Sequence, residues 1–254
     1  MPHRERIDPF LSLDAWFKSA QGSLVAQAFT DELKSTSHLK SGSYLLQLGL
    51  GGDNIWLPAL NYRHHWIATP ASTHKKNTLL SDIHALPFEK NSIDCIIAPL
   101  TIEALMHGKL PIDEIDRILK PMGLIIILGI NPISLWGLAL SLGCTPCFGA
   151  RTIIPASSLT LKQQFLNRGY TQMLLSSFYH LPPLKNPKLI KNLAFLNPMG
   201  KMLWPLPGGF YCFIAQKYQP IPPAGLMQRL SDYLGLSGAL GQEKIPACSK
   251  SFKL

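Results

Sequence analysis

The sequence predicts a doubly wound α/β fold, and three observations predict it. Seven short apolar segments with strand character follow one another along 254 residues, with helical periodicity between several of them. The segments end in turn-formers: a glycine run after the first, an aspartate after the third and a proline after the fourth. The hydrophobic content of 46% against 15% charged residues describes a chain with a large core and argues against disorder. Strands that alternate with helices imply a mostly parallel sheet with helices on both faces, joined by right-handed crossovers.

The elements follow in order. Leu13 to Lys34 reads as one helix, with Trp16, Leu24, Val25 and Phe29 on its apolar side. Tyr44–Leu48 is the first strand; the glycine run follows, and 54–60 is at most a short helix. His65–Ala68 is the second strand, Asn77–Ser81 the third and Ser92–Pro99 the fourth. Pro111–Leu119 is a helix that buries Ile112, Ile115, Ile118 and Leu119, and Leu124–Gly129 is the fifth strand. Leu159–Arg168 is a helix closed by Gly169, and Gln172–Phe178 and Phe210–Lys217 complete the strands. The expected organisation is an N-terminal helical segment over 1–40, one domain over 41–218, and a peripheral or disordered tail over 219–254.

Residues 123–144 carry no charge and are long enough to span a bilayer. Asn131-Pro132 interrupts them after a β-branched run, so they read as a buried strand, a turn and an apolar helix. No transmembrane span is expected. The first residues are charged and lack the apolar core of a secretory signal. Five cysteines do not make a disulfide framework and suit a reducing compartment, so a cytoplasmic location is expected. Cys144 and Cys147 have redox-pair spacing without the surrounding strand–helix pattern, and no second pair completes a zinc site, so no metal is expected.

Charge is unevenly placed. The formal net charge is +9, and no Asp or Glu stands between Asp116 and Asp232. A one-signed half of this kind suits an acidic partner, an anionic surface or nucleic acid, or else is a solvated basic surface.

The ligand rim of such a sheet lies beyond the carboxyl ends of its strands, which collects the glycine run, Asp82 and the residues after Pro99. Taken alone, Gly49 and Gly51 permit either a close backbone approach to a ligand or a tight turn. Three segments in order carry more: LLQLGLGG at 45–52, SDIHALPFEKNSIDCIIAP at 81–99 and EIDRILKPMGLIIILGINP at 114–132. Together they resemble the class I S-adenosylmethionine-dependent methyltransferases of the type 11 branch. Within that branch they are similar to a narrower bacterial group, the YafS-like proteins, through Trp16-Phe17, Leu46-Gln47-Leu48-Gly49 and the run Asn131 to Leu138.

That resemblance implies a Rossmann-like, doubly wound, mostly parallel seven-stranded sheet with an antiparallel last strand, and S-adenosylmethionine as cofactor. It implies that Gln47, Gly49, Leu50 and Gly51 flank the methionine and ribose parts of the cofactor. It implies further that Asp82 accepts from the adenine amino group, that Ile83 offers its backbone N–H to the ring, and that Pro99 and Leu100 line the pocket near the sulfonium. An aspartate at a strand end is also a common turn-former.

Two departures stand out. Gln47 occupies the place of an acid that holds the cofactor's amino group, and strand two ends in Ala68-Thr69-Pro70 where an acid usually meets the ribose hydroxyls. Loss of a charge-assisted contact costs about 1.5–3 kcal/mol, so an affinity weaker by one or two orders of magnitude is expected. Asp53 is a candidate substitute carboxylate. Methyl transfer needs mainly in-line positioning, so the pattern names no catalytic residue; Glu103 and His107 are the best-placed proton acceptors, each otherwise an ordinary helix-surface residue, with Tyr179-His180 second on the substrate side. The function expected is methyl transfer to an unidentified, anionic acceptor; the alternative is a non-catalytic module that keeps the fold and binds a partner through its basic face.

Overall fold

A computed structural model describes residues 2–36, 41–51, 54–70, 78–105, 109–143, 155–184, 186–193, 197 and 207–218. The expected tail lies outside the described residues, as do Asp53, His107 and the Cys144/Cys147 pair.

Seven strands form one sheet in the order β3-β2-β1-β4-β5-β7-β6. They are β1 (Gly42–Leu48), β2 (Tyr62–Thr69), β3 (Thr78–Leu80), β4 (Ile93–Pro99), β5 (Leu119–Ile130), β6 (Tyr170–Phe178) and β7 (Phe210–Lys217). The first five pair in parallel, while β7 runs antiparallel to both β5 and β6. The expected doubly wound, mostly parallel architecture is therefore the one observed. In β5, Ile125, Ile126, Ile127 and Leu128 have no exposure at all, which is why this central strand is apolar on both faces and reads as a continuous hydrophobic run.

The helices are α1 (Pro2–Phe17), α2 (Ala20–Ser35), α3 (Thr101–Ala104), α4 (Ile112–Ile118), α5 (Leu135–Ser141), α6 (Ser158–Leu166) and α7 (Pro187–Asn192). The single helix expected over Leu13 to Lys34 is two helices. Ser19 breaks it: its Oγ accepts the Gly22 N–H at 3.1 Å as the N-cap of α2. Gly22 then lies so close to the Trp16 carbonyl that a Cβ there would sit 2.0 Å from it, so α1 and α2 meet backbone to backbone. Among the described residues between β1 and β2 stands one turn of 3-10 helix, Leu57–Ala59, in agreement with the short connection read from the sequence. The charge-free segment resolves into the end of β5, an Asn131 turn and α5, whose N-cap Ser134 accepts the Gly137 N–H.

Aromatic rings tie the N-terminal helices to the body. Trp16 meets Trp136 and Phe210, Phe17 meets Trp56, and Phe29 meets Trp56 and Phe178. Such pairs add about 0.5–1.5 kcal/mol each beyond the area they bury. They fix α1 and α2 over the carboxyl end of the sheet, where a ligand would bind.

Candidate active site

The glycine run begins where β1 ends. Leu45, Leu46 and Leu48 are fully buried, and the Gly49 N–H donates to the Ala68 carbonyl at 2.7 Å, which carries the β1–β2 pairing one residue past the strand. Gly49 then turns with φ +96°, a conformation that a side chain strains. The space beside it is occupied: a Cβ on Gly49 would lie 2.5 Å from Phe10 Cε1 and 3.4 Å from Thr101 Oγ1. Phe10 itself is buried, so the ring of α1 rests directly on the first glycine. Leu50 and Gly51 are buried as well.

Gln47 is wholly buried and its amide is committed to the loop. Its Nε2 donates to the Leu50 carbonyl at 2.7 Å, and its Oε1 accepts the Trp56 indole N–H at 3.0 Å. An acid at this position would leave the Leu50 carbonyl without its donor, which explains physically why the amide stands here. Gln47 thus staples the loop closed on itself through both ends of its amide.

On the other side of β1, Asp82 and Ile83 follow β3. Asp82 is about half exposed, and its Oδ1 accepts the His84 backbone N–H at 3.0 Å and faces the His84 ring Nδ1 at 3.1 Å. It forms the turn that an aspartate at a strand end commonly makes, and its carboxylate is half exposed on the rim. Ile83 points into the core. Below it, Arg117 donates to the Leu86 and Phe88 carbonyls and pairs with Glu114 at 2.7 Å; Glu114 in turn accepts the Leu86 N–H. That network holds the Leu86-Pro87-Phe88 segment against α4, a structural role for Arg117.

Pro99 closes β4, and Leu100 adopts φ +51°, ψ 23° with no exposed surface. A left-handed leucine costs about 1–2 kcal/mol, and its N–H bond to the Leu128 carbonyl at 2.8 Å helps to hold it. Strain of this sort concentrates at ligand-facing turns, and here it launches α3. Thr101 donates to the Leu48 carbonyl at 2.8 Å, one residue before Gly49, while Glu103 Oε1 accepts the Ile130 N–H at 2.8 Å. Helix α3 therefore binds the ends of β1 and β5 across β4.

Glu103 departs from its expectation as a surface residue: it is 1% exposed, its Oε2 has no partner, and burial pushes its carboxyl up to about 7 against the pull of the Ile130 amide. Tyr179 is buried with φ +62° just after β6, and burial pushes its hydroxyl up to about 12. Phe10, Thr101 and Trp56 were not legible as rim residues. Nothing in their local sequence distinguishes them from core residues; only the meeting of α1, α3 and the glycine turn does.

The rim gathers Gly49, Leu50, Gly51, Pro99 and Leu100 at the ends of adjacent strands β1 and β4, with Asp82 and Ile83 two strands away at the end of β3. Among the described residues, no group of three His, Cys, Asp or Glu side chains could hold a metal ion.

Residues 48–127 match the family described as a methyltransferase domain, from the last residue of β1 to the middle of β5. No curated protein matches the sequence. Among solved structures, a SAM-dependent methyltransferase from Archaeoglobus fulgidus is 18% identical, with a TM-score of 0.58 over 82% of this chain and 99% of that one. A SAM-dependent methyltransferase from Thermotoga maritima is also 18% identical, with a TM-score of 0.54 over 80% and 93%. An S-adenosylmethionine-dependent methyltransferase from Mesorhizobium loti is 11% identical, with a TM-score of 0.52 over 78% and 98%. The fold is the one that class I S-adenosylmethionine-dependent methyltransferases use.

Proposed function

We propose that this protein is an S-adenosylmethionine-dependent methyltransferase whose rim takes the cofactor between the glycine turn and Asp82. The observation that carries this reading is the coincidence of two things. The methyltransferase-domain match covers 48–127, and within it the strand ends present a left-handed glycine, a half-exposed carboxylate and a strained turn on one rim.

The donor set fits the cofactor on its adenine side. Asp82 would accept from the adenine amino group, Ile83 would offer its backbone N–H, and Gly51 and Leu50 would border the ribose. Pro99 and Leu100 would line the space near the sulfonium, whose methyl group is the electrophile that the cofactor supplies when bound. The chain's own work is positioning and exclusion of water: β1 and β4 set the rim, α3 fixes Leu100, and α1 covers the opening. On the methionine side the fit requires movement, because Phe10 rests on Gly49 and Gln47 is committed to Leu50 and Trp56.

Those two contacts favour a second reading, a module that keeps the fold without transfer. Gly51→Val separates the readings. With an active rim, the folded variant loses affinity for S-adenosylhomocysteine while the parent binds it in calorimetry. With a structural turn, the variant melts lower but binds as the parent does.

The acceptor class and partners extend the same proposal. The half of the chain without acids suits an acidic acceptor, an acidic partner or nucleic acid. Several of its cations are already matched: Lys120 by Asp94, Arg168 by Asp113 and Lys217 by Asp116. Lys162 and Lys188 have no such acid among the described residues, which makes α6 and α7 the surfaces to test. Among the described residues no helix is long and apolar enough to cross a membrane. A cytoplasmic place and kinship with the YafS-like bacterial group are part of the proposal, the latter supported by the Trp16-Phe17 and Asn131 to Leu138 segments.

A further inference from the structure

Helix α3 is a four-residue turn with all of Thr101, Ile102, Glu103 and Ala104 buried, and it stands directly after the strained Leu100. Its two polar side chains face opposite ways along the rim. Thr101 reaches the last carbonyl of β1, and Glu103 reaches the last N–H of β5. A carboxylic acid can make the second contact with one oxygen, yet Glu103 also brings Oε2 into the core without a partner. A valine or leucine would fill this place without that cost, and a glutamine would make the same bond without an ionisable group. A residue that is buried, half-bonded and able to ionise therefore sits on the element that sets Leu100.

We propose that Glu103 is a positioning residue of the transfer rim: as a neutral carboxyl it pins α3 to the end of β5, and its ionisation loosens α3 and weakens cofactor binding. With Oε1 accepting from Ile130, the proton belongs on Oε2. Ionisation places a negative charge in a buried site where the backbone amides of Ile130 and of Glu103 itself do not offset the loss of water, and α3 must open toward water to relieve it. Tyr211 is the titratable group that faces Glu103 from β7. Its ring lies over Gly129, where a Cβ would be 2.2 Å from Cζ, and its hydroxyl donates to the Ala156 carbonyl over a long 3.4 Å. Burial, and then the carboxylate itself, hold that hydroxyl far above the ordinary phenol range, so Tyr211 stays neutral and supplies no compensating charge. The buried position of Glu103 holds its own carboxyl near neutrality, which puts the change inside the physiological range.

This inference rests on the methyltransferase reading, and the experiment keeps the two apart. Calorimetric titration with S-adenosylhomocysteine is run from about pH 6 to about pH 8.5 on the parent, Glu103→Gln and Glu103→Ala, with a melting curve at each pH. The expected result is an affinity that falls about tenfold with rising pH in the parent, stays level in Glu103→Gln, and is weak throughout in Glu103→Ala. Identical pH profiles in the parent and Glu103→Gln overturn the proposal. Absence of binding in all three at every pH removes the transferase reading, and the rim role with it. The melting curves then still decide whether Glu103 ionises in the folded protein: a fall with pH in the parent that Glu103→Gln lacks shows that it does, and parallel curves show that it does not.

Discussion

Gln47 shows how one amide decides the character of the glycine turn. It satisfies the Leu50 carbonyl and the Trp56 indole at once, both in the core, so Gln47→Ala leaves two buried groups unpaired. A loss of about 2–4 kcal/mol in denaturant unfolding is expected. Gln47→Glu, which restores the acid common to the resemblance, is expected to destabilise as well, because a carboxylate cannot donate to Leu50. Equal stability of the Glu variant and the parent would show that the staple is not what selects the amide. Asp82 is the counterpart on the adenine side. Asp82→Ala should weaken S-adenosylmethionine binding about tenfold in calorimetry with little change in melting temperature, since the side chain is half exposed. The glycines and Asp82 were legible in the sequence because backbone freedom and a strand-end acid have local signatures. The bonds of Gln47 were not, because its partner Trp56 lies nine residues on and the pairing depends on how the 3-10 turn folds back.

At the scale of elements, α1 is the part whose role the sequence concealed. The single helix expected from the sequence starts at Leu13 and leaves residues 2–12 without an element, whereas α1 spans Pro2–Phe17, ends before the Ser19 break and lays Phe10 over Gly49. Propensity cannot show such a break, since Ser19 also fits a helix interior and only its capping bond to Gly22 makes it an end. Phe10→Ala is expected to lower stability by about 3–5 kcal/mol, as for a buried ring removed from a packed core. It is also expected to raise affinity for S-adenosylhomocysteine, because it clears the space beside the first glycine. Affinity unchanged in a folded Phe10→Ala protein would mean that the ring does not compete with the cofactor. All seven strands, by contrast, were legible, β4 and β7 within a residue, although β2 begins at Tyr62 and β5 at Leu119, well before the apolar runs that announce them. β4, β5 and β7 are buried along most of their length and announce themselves as apolar runs.

At the scale of the molecule, pH stability follows from three carboxyl groups. Burial works against the charge on Asp94, but the Lys120 ion pair and the Tyr44 and Ser43 amides outweigh it and hold its carboxyl below the ordinary range. The bond from Arg117 does the same for Glu114. Their contribution is present above the ordinary carboxylate range and is lost as pH falls through the lowered values. Glu103 acts in the opposite sense: its carboxyl is raised to about 7, so its contribution is complete below the ordinary range and is lost as pH rises through about 7. Melting temperature is therefore expected to peak at weakly acidic pH, with Asp94→Asn flattening the acid limb and a flat acid limb in the parent counting against the Lys120 pair. The sequence could not forecast this profile, because it contains the acids but not their burial. What joins residue, element and molecule is the claim that this rim takes S-adenosylmethionine. The direct measurement is calorimetric titration of the full chain with S-adenosylmethionine at weakly acidic pH. The account predicts one site of micromolar affinity, weakened by Asp82→Ala; no detectable heat up to about millimolar ligand with a folded protein would contradict it.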